Sequence, residues 1–157
     1  MNVEYGKEFR LENVLSLRKK MTQQQINEEM IKIGKLLQDN EAKKQGPIVT
    51  VTFAIENVNG NQVLDMEILV PIDKKLDLPR EYTLKPVFKI LNAVYERHTG
   101  NPATLQNTYN EMLAFIQQNN LQQITAGYNV QVNDLLPGMT PDDMIVDVYI
   151  GVSPNTL

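Results

Sequence analysis

One pattern of apolar residues occurs twice along the chain, and that repetition limits the fold more than any single motif. Ile26, Met30, Ile33 and Leu37 recur at intervals of four, three and four residues. Leu105, Tyr109, Met112 and Ile116 repeat the same intervals. Each set lines one face of a 3.6-residue period and predicts an amphipathic helix. The starts are marked as well. Thr22 opens TQQQ, a capping box with Gln25 at the third helical position. Asn101-Pro102 reads as an N-cap followed by proline at the first helical position. The first helix is expected to end around Asp39–Lys44, the second in the polar QQNN.

The flanks extend the match. FRLENVLSLRKKM precedes the first helix and FKILNAVYERHTG the second, with Arg18 and Arg97 in equivalent places. IVTVTFAIE and VLDMEILVPI follow the first helix around NVNGNQ, where Asn59-Gly60 signals a hairpin. GYNVQVND and MIVDVYIGV follow the second around LLPGMTPDD. The reading is therefore α+β, with two strand–helix–strand–strand halves related by a pseudo-twofold axis. An antiparallel sheet is expected to carry both helices on one face and a ligand groove on the other. The half-repeats run over about 8–73 and 84–154 of a single domain, 1–157, with the charged, proline-containing linker at 74–83.

Composition removes several function classes. Cysteine is absent and there is a single histidine, so thiolate chemistry, disulfides and His-rich zinc sites are excluded. Net charge is −4 and the lysines and arginines are scattered, which argues against nucleic acid as partner. No apolar run reaches the length of a membrane span, and MNVEYGKEFR has no signal-peptide h-region. A cytoplasmic protein that needs neither cofactor nor metal is expected.

The candidate site residues come from the last strand. MIVDVYIGV is mostly β-branched or otherwise apolar, yet Asp147 interrupts it. Alternation puts Val146, Val148 and Ile150 on one sheet face and Asp147 with Tyr149 on the other. Aligning the halves sets Glu67 against Asp147, with Met66, Ile68 and Val70 on the apolar face. Asp147 is either a solvated residue of an open face or an acid held in a pocket. Tyr128 stacks on a ligand or packs across strands, and Tyr95 shares its strand face with Arg97. Tyr109 lies on the apolar helix stripe and reads as core. His98 has no partner in a triad pattern, so no catalytic role is assigned to it. Gly100-Asn101-Pro102 lacks the glycines and Lys-Ser/Thr pair of a phosphate loop.

HTG before the second helix, Tyr109, Leu113 and Phe115 on it, Tyr128 after it, and the final DVYIGV run follow one another in a known order. In this the chain resembles the GyrI-like small-molecule-binding domain, the effector-binding part of multidrug-responsive transcription regulators. The resemblance implies a groove between the halves that accepts cationic, aromatic or amphipathic compounds. It implies ligand contacts by Asp147 and Tyr128; Tyr149, Glu67 and Tyr95 join them as candidates through their strand faces and the alignment of the halves. Two departures stand out. Asp147 takes the place of a glutamate, which shortens the reach by one methylene, and tryptophan is absent. No DNA-binding half is expected, and the resemblance is to stand-alone bacterial members.

The expected function is capture of a small, cationic or amphipathic ligand. One rival is an accessory protein, for instance beside a bacterial toxin locus, with the groove closed or filled by a protein partner or a homodimer mate. The other is a hydrolase with Asp147 as base and Tyr128 as acid or oxyanion donor, which the shorter acid disfavours.

Overall fold

The computed structural model describes residues 2–134 and 136–155. Among these residues six strands and two α-helices follow one another as β1 (Glu4–Met21), α1 (Gln23–Asp39), β2 (Val49–Val58), β3 (Asn61–Pro71), β4 (Thr83–Thr99), α2 (Leu105–Gln118), β5 (Gln123–Gln131) and β6 (Ile145–Val152). They form two compact units. The first is Leu11–Phe88; the second joins the residues up to Arg10 to those from Lys89 onward.

Helix α1 begins where its cap predicts. Thr22 Oγ1 accepts from the Gln25 N–H, and Gln25 Oε1 accepts from the Thr22 N–H at 2.9 Å. These two bonds satisfy donors that a bare helix start leaves open. At the other end Asn40 donates its amide to the Leu36 carbonyl, and Glu41 takes a φ of +54°. Helix α2 ends in the same way: Asn119 donates to the Phe115 carbonyl and Asn120 has a φ of +54°. Its start differs from the expectation. Pro102–Thr104 form a 3-10 turn, and the α-helix begins only at Leu105. The reason is the Asn101 carbonyl, which accepts from the Thr104 N–H, the Thr104 hydroxyl and His98 Nε2. Those donors hold the first turn tight.

In the first unit β3 lies between β1 and β2, antiparallel to both. Asn59 and Gly60 close the β2–β3 hairpin with φ of +51° and +80°, the left-handed pair that a two-residue hairpin turn needs. Leu15, Leu17, Met66, Ile68 and Val70 pack with Ile26, Ile33 and Leu37 of α1. In the segment before β4, Tyr82 is buried in this core and Leu76 and Leu78 pack against it, as does Leu84 at the start of β4.

In the second unit β6 lies between β4 and β5, again antiparallel. Val94, Val146, Val148 and Ile150 pack with Met112 and Ile116 of α2. Strand β5 is bulged between Gln123 and Gly127, and Thr125 Oγ1 accepts from the Gly151 N–H at 2.7 Å. Gly127 lies under the Tyr109 ring, so close that a Cβ there would fall 2.2 Å from a ring carbon.

Strands β1 and β4 begin earlier than the sequence suggests, at Glu4 and Thr83. The first residues of β1 are mostly exposed, and those of β4 mix Pro86 and Lys85 with apolar residues, so no clean alternation marks either start. Among the described residues no helix is long and apolar enough to cross a membrane.

Candidate functional site

The sheet face of the second unit that points away from α2 is organised in rows. Residues directly opposed on antiparallel strands share a face. Tyr149 on β6 stands opposite Tyr95 on β4 and Tyr128 on β5. One step along β6, Asp147 stands opposite Arg97 and Val130. A row of three tyrosines therefore borders a row that carries an acid and a base. Phe9 of β1 adds a fourth ring, centred 4.8 Å from that of Tyr149, and the Tyr95 ring is centred 5.0 Å from it on a tilt of 47°.

Asp147 is held from two sides. Its Oδ1 accepts from the Tyr95 hydroxyl at 2.8 Å and from Arg97 Nε at 2.8 Å. Its Oδ2 accepts from Arg97 Nη2 at 3.1 Å, which completes a bidentate fork. The Asp147 side chain is 12% exposed and that of Arg97 49%. The acid is thus a fixed, charge-compensated group, and the solvated reading of Asp147 does not hold. Burial first, then the bond to Asp147 and its charge, push the Tyr95 hydroxyl up to about 12. Burial and then the Asp147 charge raise Tyr149. The bond to Asp147 and its charge raise Arg97, which keeps the guanidinium charged.

Glu67 sits in the first unit with partners of its own. Its Oε2 accepts from the Ser16 hydroxyl and from Lys85 Nζ, each at 2.5 Å. Arg18 is opposite Glu67 in the ladder, as Arg97 is opposite Asp147. Yet Arg18 turns to Asp65, at 3.4 Å, and its guanidinium lies 4.0 Å from the centre of the Phe53 ring.

Beneath α2, the other face of β4 carries two polar groups. His98 is pinned: Nδ1 is 2.7 Å from Thr108 Oγ1, and Nε2 donates to the Asn101 carbonyl. Those contacts tie the strand end to the helix start and leave the ring no free nitrogen. Glu96 is 3% exposed, and its Oε1 has no hydrogen-bond partner. Burial first, then the neighbouring Glu111, push Glu96 up to about 7. Among the described residues no three His, Asp or Glu side chains gather as a metal site.

Four of the five expected residues, Asp147, Tyr95, Tyr128 and Tyr149, therefore share one face of the second unit. Sequence reasoning missed Arg97 as Asp147's partner, although the pairing of their strands places it opposite. It also missed Phe9, for which no signal exists, because the course of β1 that brings its ring to Tyr149 is not written in its pattern. The burial of Glu96 was readable, since it alternates with Val94 and His98 on the helix side.

No protein-family model matches this sequence, and no curated protein does. Solved structures do match. The C-terminal domain of EcmrR superposes with a TM-score of 0.75 at 12% identity over 97% of both chains. The fold is GyrI-like. In an EcmrR–DNA complex the TM-score is 0.76 at 15% identity; the match covers 96% of this chain and 57% of the EcmrR chain. A hydrolase from Listeria innocua matches at 0.59 and 16% identity, over 94% of this chain and 92% of its own. SAV2435 bound to tetraphenylphosphonium matches at 0.51 and 9% identity, over 96% and 94%. Identities this low establish the GyrI-like fold and nothing further about chemistry.

Proposed function

We propose that the chain binds a small aromatic, cationic or amphipathic molecule on the β4–β6 face of its second unit. One observation carries the reading: a buried carboxylate, Asp147, is oriented by the Tyr95 hydroxyl within a cluster of rings that includes Tyr149 and Phe9. Rings supply apolar area and attract cations to their faces, and the acid supplies a directional charged contact. Tyr128, opposite Tyr149, extends the aromatic row. The bound tetraphenylphosphonium of SAV2435, an aromatic cation on a similar fold, agrees with that chemistry. A hydrolytic role is less well supported. As a base, Asp147 would first have to give up the Arg97 fork and the Tyr95 bond.

The same reading treats the chain as one GyrI-like domain that arose by duplication. Matching helix C-caps at Asn40 and Asn119 and matching Arg–acid registers support it. The test is a thermal-shift titration of the wild type and Asp147→Ala with tetraphenylphosphonium. At a hundred times the dissociation constant, a bound ligand adds about 2.7 kcal/mol of apparent stability. A rise in wild-type melting temperature that Asp147→Ala lacks is expected. Equal shifts in both proteins would contradict the assignment.

A further inference from the structure

Resting on that reading, we infer that Arg97 occupies the cation position of the site, and that a cationic ligand binds by taking its place on Asp147. The geometry separates a fixed partner from a movable one. Asp147 is buried and has a second anchor besides Arg97, the Tyr95 hydroxyl. Arg97 reaches Asp147 through a half-exposed side chain, so its guanidinium can return to water without being stranded. A cation that replaces it meets an already oriented carboxylate beside the Tyr95, Tyr149 and Phe9 rings.

The first unit supplies an internal precedent for the displaced arrangement. At the equivalent ladder position Arg18 has left the acid opposite it, Glu67, for Asp65 and the face of Phe53. The vacated acid is served by a different cation, Lys85 Nζ, together with the Ser16 hydroxyl. An arginine at this strand position therefore tolerates both arrangements, and the opposing acid accepts a second cation in its place. In the second unit the residue matching Asp65 is Ile145, so a displaced Arg97 has no second acid there and turns to solvent.

The consequence is competition within the chain. While Arg97 holds Asp147, only the fraction of molecules with an open fork is competent to bind, and the apparent affinity falls by that fraction. Removal of Arg97 strengthens cation binding, the opposite of what a ligand-contacting residue does. An aromatic cation too bulky or too weakly paired to displace the fork is refused, so Arg97 also sets specificity.

Isothermal titration of tetraphenylphosphonium into the full chain tests this with the wild type, Arg97→Gln, Asp147→Asn and the double variant, each first checked for folding by circular dichroism. Arg97→Gln is expected to bind about tenfold more tightly than wild type. Arg97→Lys, which keeps the charge without the fork, should fall between them. The double variant should bind no better than Asp147→Asn. If wild type binds and Arg97→Gln binds equally or more weakly, the competition is overturned while the binding site stands. If neither folded protein binds, both ideas fall. A parallel titration with an aromatic sulfonate guards against the reverse assignment. Binding by the wild type that Arg97→Gln loses would make Arg97 an anion anchor and overturn the inference.

Discussion

Two acids stand at the same point of two similar ladders and meet different surroundings. Glu67 in the first unit faces Arg18 across the ladder but is bonded by Ser16 and Lys85. Asp147 in the second faces Arg97 and keeps it, with Tyr95 as second donor. Ser16 and Tyr95 occupy corresponding positions two residues before each arginine. A small hydroxyl in the first case leaves room for a lysine; a tyrosine in the second brings a ring and joins an aromatic cluster. Phe53 and Asp65 draw Arg18 aside, and the second unit has no such pair at the matching places. The backbone sets the register in both units, and the neighbours of each acid decide whether it is a structural tie or a candidate binding group.

The largest contrast between the units is steric. Gly127 of β5 lies under Tyr109, and β2 contains no glycine. Gly127→Ala should cost about 3 kcal/mol, at the upper end of overpacking, measured by urea unfolding. A cost below about 0.5 kcal/mol would mean that Tyr109 moves aside freely.

Next comes removal of each acid's charge. Glu67→Gln leaves Lys85 without its anion and should cost about 2 kcal/mol. Asp147→Asn should cost about 1 kcal/mol, because the half-exposed Arg97 regains water more readily than the less exposed Lys85. The reverse order would show that the ladder pair, not the Ser16–Lys85 tie, is the stronger structural element.

A third contrast lies under the helices. Glu96 pairs with Val148 just as Leu17 pairs with Ile68, so a buried acid replaces a buried leucine. The groups that act on Glu96 include Glu111 of α2 and the Asn2 backbone. Its folded pKa, near 7, is raised above the ordinary 4.5, so the folded chain holds this proton more tightly than the unfolded one. The corresponding stabilisation is complete below about pH 4.5 and is lost as pH rises through 7. Melting temperature should therefore fall between pH 5 and pH 8 in the wild type. Glu96→Leu should flatten that slope and be the more stable protein at pH 8. An unchanged slope in the variant would assign the dependence to other groups. The smallest effect is at the surface: Arg18→Gln should cost about 0.5 kcal/mol, since its ion pair is long and its side chain exposed.

The sequence was most informative where a short-range rule applies. The stripe from Ile26 to Leu37, the Thr22–Gln25 box and the Asn59-Gly60 turn depend on neighbours within a few residues, and each is found in place. Alternation likewise assigned Asp147 and Tyr149 to the face away from α2. What escaped depends on partners distant in the chain. The carboxylate of Glu67 chooses Lys85 and Ser16, and Tyr149 meets Phe9, because of how strands are brought side by side. The 3-10 turn after Asn101 also escaped, because His98 helps to hold the carbonyl that shapes it.

The central claim is that the Asp147 face of the second unit binds a small aromatic cation. Amide shift mapping by nuclear magnetic resonance, with tetraphenylphosphonium titrated into the nitrogen-15-labelled chain, addresses it directly. Saturable shifts concentrated at Tyr95, Arg97, Tyr128, Asp147 and Tyr149 are predicted. Absence of saturable shifts, or shifts gathered around Glu67, Ser16 and Lys85, would contradict the claim.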